Sequence, residues 1–241
     1  DCEYWTMPSF RTFAKTDVGL VRDGNEDSAL ISPRLIAVAD GMGGHAAGEV
    51  ASRIAVRKLK ELSEVLNDKN LDTESREDLL MGTTLTALHL GNETVELLHV
   101  GDSRCYQWVG EELVQLSVDH TVMQELISQG RLNENEVATH PQRSLLTQAL
   151  MGDSGIDPNL IVFPVKVGDC FLLCSDGLSS VLSLEDINES ILKNHTDGQA
   201  LLDDLVKKTK AKGAPDNVTI VWAEVVAVDA TDEIKMIGAA K

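Results

Sequence analysis

Apolar residues along this chain recur with two periods. The first is a set of short runs: LIAVAD (35–40), TTLTALHL (83–90), TVELLHVGD (94–102), RCYQWV (104–109), ELVQLS (112–117), CFLLCSD (170–176) and VTIVWAEVV (218–226). Runs of this length, rich in Val, Leu and Thr, predict β-strands. Gly91-Asn92 separates the second run from the third, and Gly110-Glu111 the fourth from the fifth. Short turns of this chemistry join antiparallel neighbours, so hairpins are expected at both places.

The second period is helical. Val50, Ile54, Leu59, Leu62 and Leu66 fall on one helix face, as do Leu201, Leu202, Leu205, Val206 and Thr209. The later helix should stop at KGAP, because Gly213 suits a helix C-terminus and Pro215 cannot continue one. Residues 120–150 are polar and helical in character, and read as an insertion between strands. Strands in runs with separate helices predict an α+β domain built in layers.

Composition narrows this picture without changing it. A chain of 241 residues with 43% hydrophobic content can bury a sizeable core, and the expectation is one domain over residues 1–241. A formal net charge of −18 argues against nucleic acid or an anionic membrane as partner, since both select basic surfaces. The four cysteines, Cys2, Cys105, Cys170 and Cys174, match no zinc spacing. Cys170 and Cys174 lie four apart in an apolar strand, hence on one face, and read as small buried hydrophobes. No stretch has the length of a membrane span, and DCEYWTMPSF has no basic-then-apolar leader pattern. A reducing, cytoplasmic setting is expected.

The candidate chemistry lies where strands end. Asp40-Gly41 follows LIAVA, Gly101-Asp102-Ser103 follows ELLHV, and Asp176-Gly177 follows FLLCS. Asp216-Asn217 precedes VTIVW, and Glu26-Asp27 precedes another short strand. Any one of these is explained by turn formation, because Asp bonds the local backbone. Together they would place several carboxylates in one region, and gathered like charges need a compensating cation. Oxygen ligands without Cys or His favour hard ions, Mg²⁺ or Mn²⁺, over Zn²⁺. Two such ions about 3.5–4 Å apart can activate a water for attack at phosphorus. Phosphate-loop readings of the glycine-rich turn fit poorly. In a Walker A reading Gly43-x₄-Gly48 is followed by Glu49, not lysine. In a dinucleotide reading Gly41-x-Gly43-x-x-Ala46 fits the spacing, but Asp40 would face the pyrophosphate.

The segments TDVGLVRDGNEDS (16–28), VADGMGGHAAGEVAS (38–52), MGTTLTA (81–87), HVGDSRCY (99–106), DHT (119–121), CSDGL (174–178) and GAPDNVTIV (213–221) occur in this order. In them the chain resembles the metal-dependent protein phosphatases, the PPM or type 2C family, in compact bacterial form. The resemblance implies a β-sandwich of two antiparallel sheets flanked by helices, in α-β-β-α layers, with metals at one end. It implies two catalytic Mn²⁺ or Mg²⁺ ions bridged by Asp40, with the Gly41 carbonyl, Asp176 and Asp216 as further ligands. Glu26 and Asp27 would act through metal-bound waters, and Asp102 with Asp176 would hold a weaker third ion. Arg22 would grip the substrate phosphate with its guanidinium fork. His45 is the candidate general acid, although members with a histidine directly after Asp-Gly place it where this chain has Met42. His120 is expected to make a structural hydrogen bond, and the other histidines to pack or lie on the surface.

The implied reaction is hydrolysis of phosphoserine and phosphothreonine on proteins, by direct attack of a metal-bridging water. The sequence agrees in lacking the Cys-x₅-Arg and Asp-x-Asp of covalent routes. Residues 120–150 resemble the family's flap beside the active site. Expected partners are phosphoproteins, substrates of a serine/threonine kinase, with no nucleic acid or membrane, and the chain itself is expected to be a monomer. The alternative is a non-catalytic phosphoprotein-binding or regulatory domain on the same fold. Two features depart from the family. Residues 67–81 are too few for its second long helix, so either a truncated helix pair or missing residues is expected there, and Ser180 stands where many members carry an acid supporting the third ion. Residues 229–241 read as a short, uninformative tail.

Overall fold

The computed structural model describes residues 7–43, 46–65, 82–133, 140, 145–150, 158–227 and 234–241. Two antiparallel sheets face each other. The first contains β1 (Ser9–Asp17), β10 (Val218–Val226), β9 (Cys170–Cys174), β6 (Arg104–Val109) and β7 (Glu112–Gln115), in that order across the sheet. The second contains β11 (Lys235–Gly238), β2 (Asp27–Ile31), β3 (Leu35–Asp40), β4 (Leu85–Leu90), β5 (Thr94–Val100) and β8 (Asn159–Pro164). Both expected hairpins form, β4–β5 and β6–β7.

The strands' alternation divides the apolar residues among three layers. Between the sheets, Phe10, Ile36, Val38, Leu88, Leu97, Phe171, Leu173 and Val221 make the inner core. The opposite face of the second sheet carries Leu30, Leu35, Ala37 and Leu85 against Ala55, Val56 and Leu59 of α1 (Ala46–Val65). The outer face of the first sheet carries Leu172, Cys174, Ile220 and Trp222 against Ile187 and Ile191 of α4 (Leu184–Asn194) and Leu201, Leu202 and Leu205 of α5 (Gly198–Ala211). Cys170 shares that face with Cys174, so the two cysteines are buried hydrophobes as expected. Phe171, enclosed on all sides, fixes the inner layer; truncating it to Ala would cost about 3–5 kcal/mol. Two shorter helices complete the described elements: α2 (Val122–Ser128), capped by the Thr121 hydroxyl, and the single turn α3 (Asp176–Ser179).

α5 ends as its sequence dictates. Lys212 closes the last turn, Gly213 adopts φ +107°, and Pro215 follows. The C-terminal segment differs from expectation. Residues 235–238 are not featureless tail but the edge strand β11, paired with β2 from Lys235↔Ile31 to Gly238↔Ser28. Gly238, at φ +75°, has the Asp27 backbone where a Cβ would stand, and Ala239 N–H donates to the Asp27 carbonyl at 2.8 Å. Residues 67–81, where either a truncated helix pair or missing residues is expected, lie outside the described residues.

Register decides where the site forms. Asp17 pairs with Val218, Asp27 with Asp40, Leu85 with Val100, and Arg104 with Cys174. These pairings bring the end of β1, the start of β2, the end of β3, the β5–β6 crossing, the end of β9 and the start of β10 to one end of the sandwich. The strand-ending aspartates are carried there together.

Candidate active site

Asp40 ends a strand whose five preceding residues are all buried. Its backbone is fixed by two threonines: Thr84 Oγ1 accepts from Asp40 N–H at 3.0 Å, and Thr83 Oγ1 donates to the Asp40 carbonyl at 2.8 Å. Gly41 then turns the chain so tightly against the Gly48 carbonyl that no Cβ fits. Gly48 is equally confined, for a Cβ there would stand 2.6 Å from Glu26 Oε2. The Glu26 carboxylate therefore sits against the first turn of α1. On the opposite sheet, Asp176 opens α3 directly after β9, and Gly177 packs on the Asn217 carbonyl without room for a side chain.

Asn217 organises the rim. Its Nδ2 donates to the carbonyls of Val18 (2.9 Å) and Gly24 (2.8 Å), and its Oδ1 accepts from Glu26 N–H at 2.8 Å. One buried side chain thus pins both limbs of the loop that carries Arg22. The Arg22 guanidinium donates to Asp216 Oδ2 at 2.6 Å.

The enclosed carboxylates disturb one another. Asp27 is fully buried, whereas Asp40, Asp102, Asp176 and Asp216 are recessed but keep some surface open to solvent. Burial raises the Asp40 carboxyl well above the usual range, and the charges of Asp27, Asp176, Asp102 and Asp216 raise it further. Asp176 is raised by burial and by Asp216, and lies close enough to share a hydrogen bond with Asp40. Burial pushes Asp27 up to about 7, opposed by the Ser175 and Thr219 hydroxyls nearby; of these, Ser175 makes the hydrogen bond, to Oδ2 at 2.8 Å. Asp27 Oδ1 is buried and has no partner among the described residues.

A second cluster adjoins this recess. The Arg104 Nε and Nη2 groups grip Asp119 at 2.6–3.0 Å, and Nη1 reaches the Tyr106 hydroxyl at 3.4 Å. His99 and His120 lie with ring centroids 5.0 Å apart and their planes tilted by 37°. His120 Nδ1 accepts from Gly101 N–H at 3.1 Å, the structural hydrogen bond expected of it, and His99 Nε2 meets the Val118 carbonyl at 3.0 Å. These contacts hold the turn bearing Asp102. That carboxyl is pushed up to about 7, by burial first and then by Asp176 and Asp119, while Arg104 opposes the rise.

Comparison with known proteins agrees with this geometry. Serine/threonine protein phosphatase PstP of Mycobacterium tuberculosis is 40% identical over 237 residues, which span 91% of this chain and 46% of that protein. The chain thus spans about half the length of that relative. Serine/threonine phosphatase stp of Listeria welshimeri is 34% identical, over 87% of this chain and 94% of its own length. The chain belongs to the bacterial PPM-type serine/threonine protein phosphatases. Among solved structures, that of the M. tuberculosis phosphatase PstP/Ppp superposes with a TM-score of 0.83 at 38% identity, covering 90% of this chain and 99% of that one. The PstP catalytic domain has also been solved with two manganese ions; it gives a TM-score of 0.79 at 35% identity, covering 91% and 99%. No protein-family model matches the chain. The layered sandwich is the fold of these phosphatases.

Most residues singled out in the sequence meet at this end of the sandwich. Asp27, Asp40, Asp102, Asp176 and Asp216 come together, with Arg22 at the rim and Glu26 and Gly41 beside α1. His45 and the glycine before it lie outside the described residues. Ser180 N–H donates to the Asp176 carbonyl at 2.8 Å and caps α3. Of residues 120–150, 120–133, 140 and 145–150 are described: His120 N–H donates to the Gly101 carbonyl, Val122 N–H to the Leu145 carbonyl, and Leu150 exchanges backbone bonds with Thr83. Sequence reasoning overlooked Asn217 as the rim's anchor, Ser175 as the partner of Asp27, and the Arg104–Asp119 pair. Arg104 carried a usable signal, a lone cation two residues beyond a strand-ending aspartate.

Proposed function

We propose that this recess hydrolyses phosphoserine and phosphothreonine esters of proteins with the help of divalent cations. The observation that carries the reading is the crowd of enclosed carboxylates around Asp40, to which, among the described residues, Arg22 on Asp216 supplies the one ion pair. Among the described residues, no three His, Cys, Asp or Glu side chains form a finished ligand shell, and Arg22 has turned onto Asp216 instead. The donor set still suits a hard ion: oxygens only, anionic, converging, with Asp27 Oδ1 unpartnered. Asp40, Asp176, Asp216 and the Gly41 carbonyl would hold the ions, with Glu26 and Asp27 behind them. Asp102 with Asp176 would serve a further, weaker ion. Mn²⁺ or Mg²⁺ bound there would lower the pKa of a water and polarise the phosphoryl group.

The chain's own residues do the remainder. Asn217 and Gly19 hold the Arg22 loop in place, so the guanidinium can leave Asp216 for a phosphate without the backbone moving. A planar fork suits two phosphate oxygens. Thr83 and Thr84 lock the Asp40 backbone, which fixes its carboxylate at the centre. His45, which precedes α1 in the sequence, is the proposed donor of a proton to the leaving serine or threonine oxygen. Phosphoproteins made by a serine/threonine kinase are the proposed partners, and a monomer in the cytoplasm the proposed working form. Among the described residues no helix is long and apolar enough to cross a membrane.

The test is hydrolysis of a phosphothreonine peptide and of p-nitrophenyl phosphate with Mn²⁺, Mg²⁺ or EDTA. Turnover of both, abolished by EDTA, is expected. Tight phosphopeptide binding without turnover in any metal would overturn the enzyme reading in favour of a binding domain.

A further inference from the structure

The loop that bears Arg22 also bears three apolar side chains turned to solvent. Val18 is 37% exposed, Leu20 60% and Val21 68%, all within four residues of Arg22. Isolated exposed apolar residues are ordinary; several displayed together on an ordered loop mark a contact surface. This loop is ordered by its bonds. Gly19 N–H donates to Asp17 Oδ1 at 2.9 Å, Leu20 N–H to the Ala214 carbonyl at 2.9 Å, and Asn217 binds the Val18 and Gly24 carbonyls. Gly19, at φ +83°, is pressed against the Asp216 and Ala214 carbonyls, which fixes the direction of the crest. The body of the protein holds the backbone down and leaves Leu20 and Val21 facing outward.

From this geometry we infer that Leu20 and Val21 are a specificity surface that selects phosphopeptides with an apolar residue within two positions of the phosphoresidue. The inference rests on the phosphatase reading of the same site. Consecutive Cα atoms are about 3.8 Å apart, so Val21 adjoins Arg22 as closely as a flanking residue adjoins the phosphoresidue. A phosphate held by Arg22 therefore brings its neighbours in the peptide over this crest. Charge points the same way. Asp23 follows Arg22, Asp216 stands under it, and the chain carries a net charge of −18, so an acidic flank is repelled.

The experiment compares phosphothreonine peptides carrying Leu or Ser one and two positions from the phosphoresidue, with p-nitrophenyl phosphate as a substrate lacking flanks. The Leu peptides should be preferred by roughly tenfold in kcat/KM, the scale at which one apolar contact discriminates. The double variant L20S/V21S should lose that preference while hydrolysing p-nitrophenyl phosphate as the parent does. An unchanged preference, or an equal loss on all substrates, would overturn the inference while leaving the phosphatase reading in place. No turnover of any substrate by the parent would overturn both. Sedimentation of parent and variant covers a rival occupant: self-association through the crest, removed by L20S/V21S with the peptide preference intact, would overturn the inference in favour of a second copy.

Discussion

Two polar clusters lie side by side at one end of this sandwich, and they treat charge in opposite ways. In the first, Asp27, Asp40, Asp176 and Asp216 face one another, and among the described residues the one ion pair made to them is Arg22–Asp216. In the second, Arg104 clasps Asp119 through Nε and Nη2, and two neighbouring histidine rings hydrogen-bond to backbone groups. The second cluster is closed: its charges are matched by its own members, and it serves as a wall. The first is open, with more negative charge than the protein neutralises. An open buried cluster is held against its own repulsion by the surrounding core, and it marks the place where an outside cation would be bound. Asp102 sits on the boundary, raised first by burial and then by Asp176 and Asp119, and eased by Arg104.

The largest effect should come from neutralising the centre of the open cluster. Asp40→Asn keeps the shape and removes the charge that four other aspartates oppose. Activity should fall to background with Mn²⁺ or Mg²⁺, and calorimetry should show weak metal binding. The metal-free variant should melt no lower than the parent, because a repelled buried charge is gone. A metal-free Asp40→Asn protein that melts well below the parent would mean the cluster is as self-sufficient as its neighbour.

Next in size is Arg22→Ala, which removes the rim's cation. The bonds lost to phosphate are charge-assisted, about 1.5–3 kcal/mol, or roughly tenfold to a hundredfold in kcat/KM. Inhibition by inorganic phosphate should weaken in parallel. An unchanged phosphate inhibition constant would show that Arg22 serves Asp216 alone.

How far the chain could be read in advance follows the same division. Asp40, Asp102, Asp176 and Asp216 were legible because each ends or precedes an apolar run, which is a local signal. Strands β3 to β7, β9 and β10 and helices α1 and α5 were legible for the same reason. What escaped depends on distance. Arg104 and Asp119 are fifteen residues apart, and the β6–β7 register with the return of the chain onto Cys105 after β7 brings them together. β1 has weak alternation and is held by β10, while β8 is an apolar run at a sheet edge with three exposed residues in succession. β11 is four residues long and exists because β2 offers an edge. α4 was detectable, since Ser183 and Asp186 form a capping box at its start.

A smaller effect is expected from opening the closed cluster. The Arg104 side chain is 31% exposed and Asp119 11%, so the pair stands between surface and core cases. Arg104→Ala should lower the unfolding free energy by about 2 kcal/mol in urea. Asp119→Asn should cost a similar amount, and the double variant less than the sum, because the second change removes a partner already lost. Strict additivity would show that the two side chains are neighbours without coupling.

The finest test is pH. His99 is buried, with burial the chief cause and the neighbouring His120 the next in holding its pKa down to about 4 from an ordinary 6.5; Asp119 and the backbone at Val118 and Gly101 oppose this. Nε2 faces a carbonyl, so it carries the proton of a neutral ring. The sign follows from which state binds the proton first. On lowering the pH, the unfolded chain protonates His99 near 6.5 while the folded chain waits until about 4. The ring's contribution to stability is therefore complete above pH 6.5, declines as pH falls from 6.5 toward 4, and changes no further below that. The slope cannot exceed one proton, ~1.4 kcal/mol per pH unit. Urea unfolding of the metal-free protein and of His99→Gln, at intervals from pH 7 to 4.5, should give two curves that converge toward acid. The imidazole signals of His99 should stay in their neutral position to below pH 5. A ring that titrates near 6.5 would show that the second cluster is open to water, and the contrast between the two clusters would then fail at its quieter side.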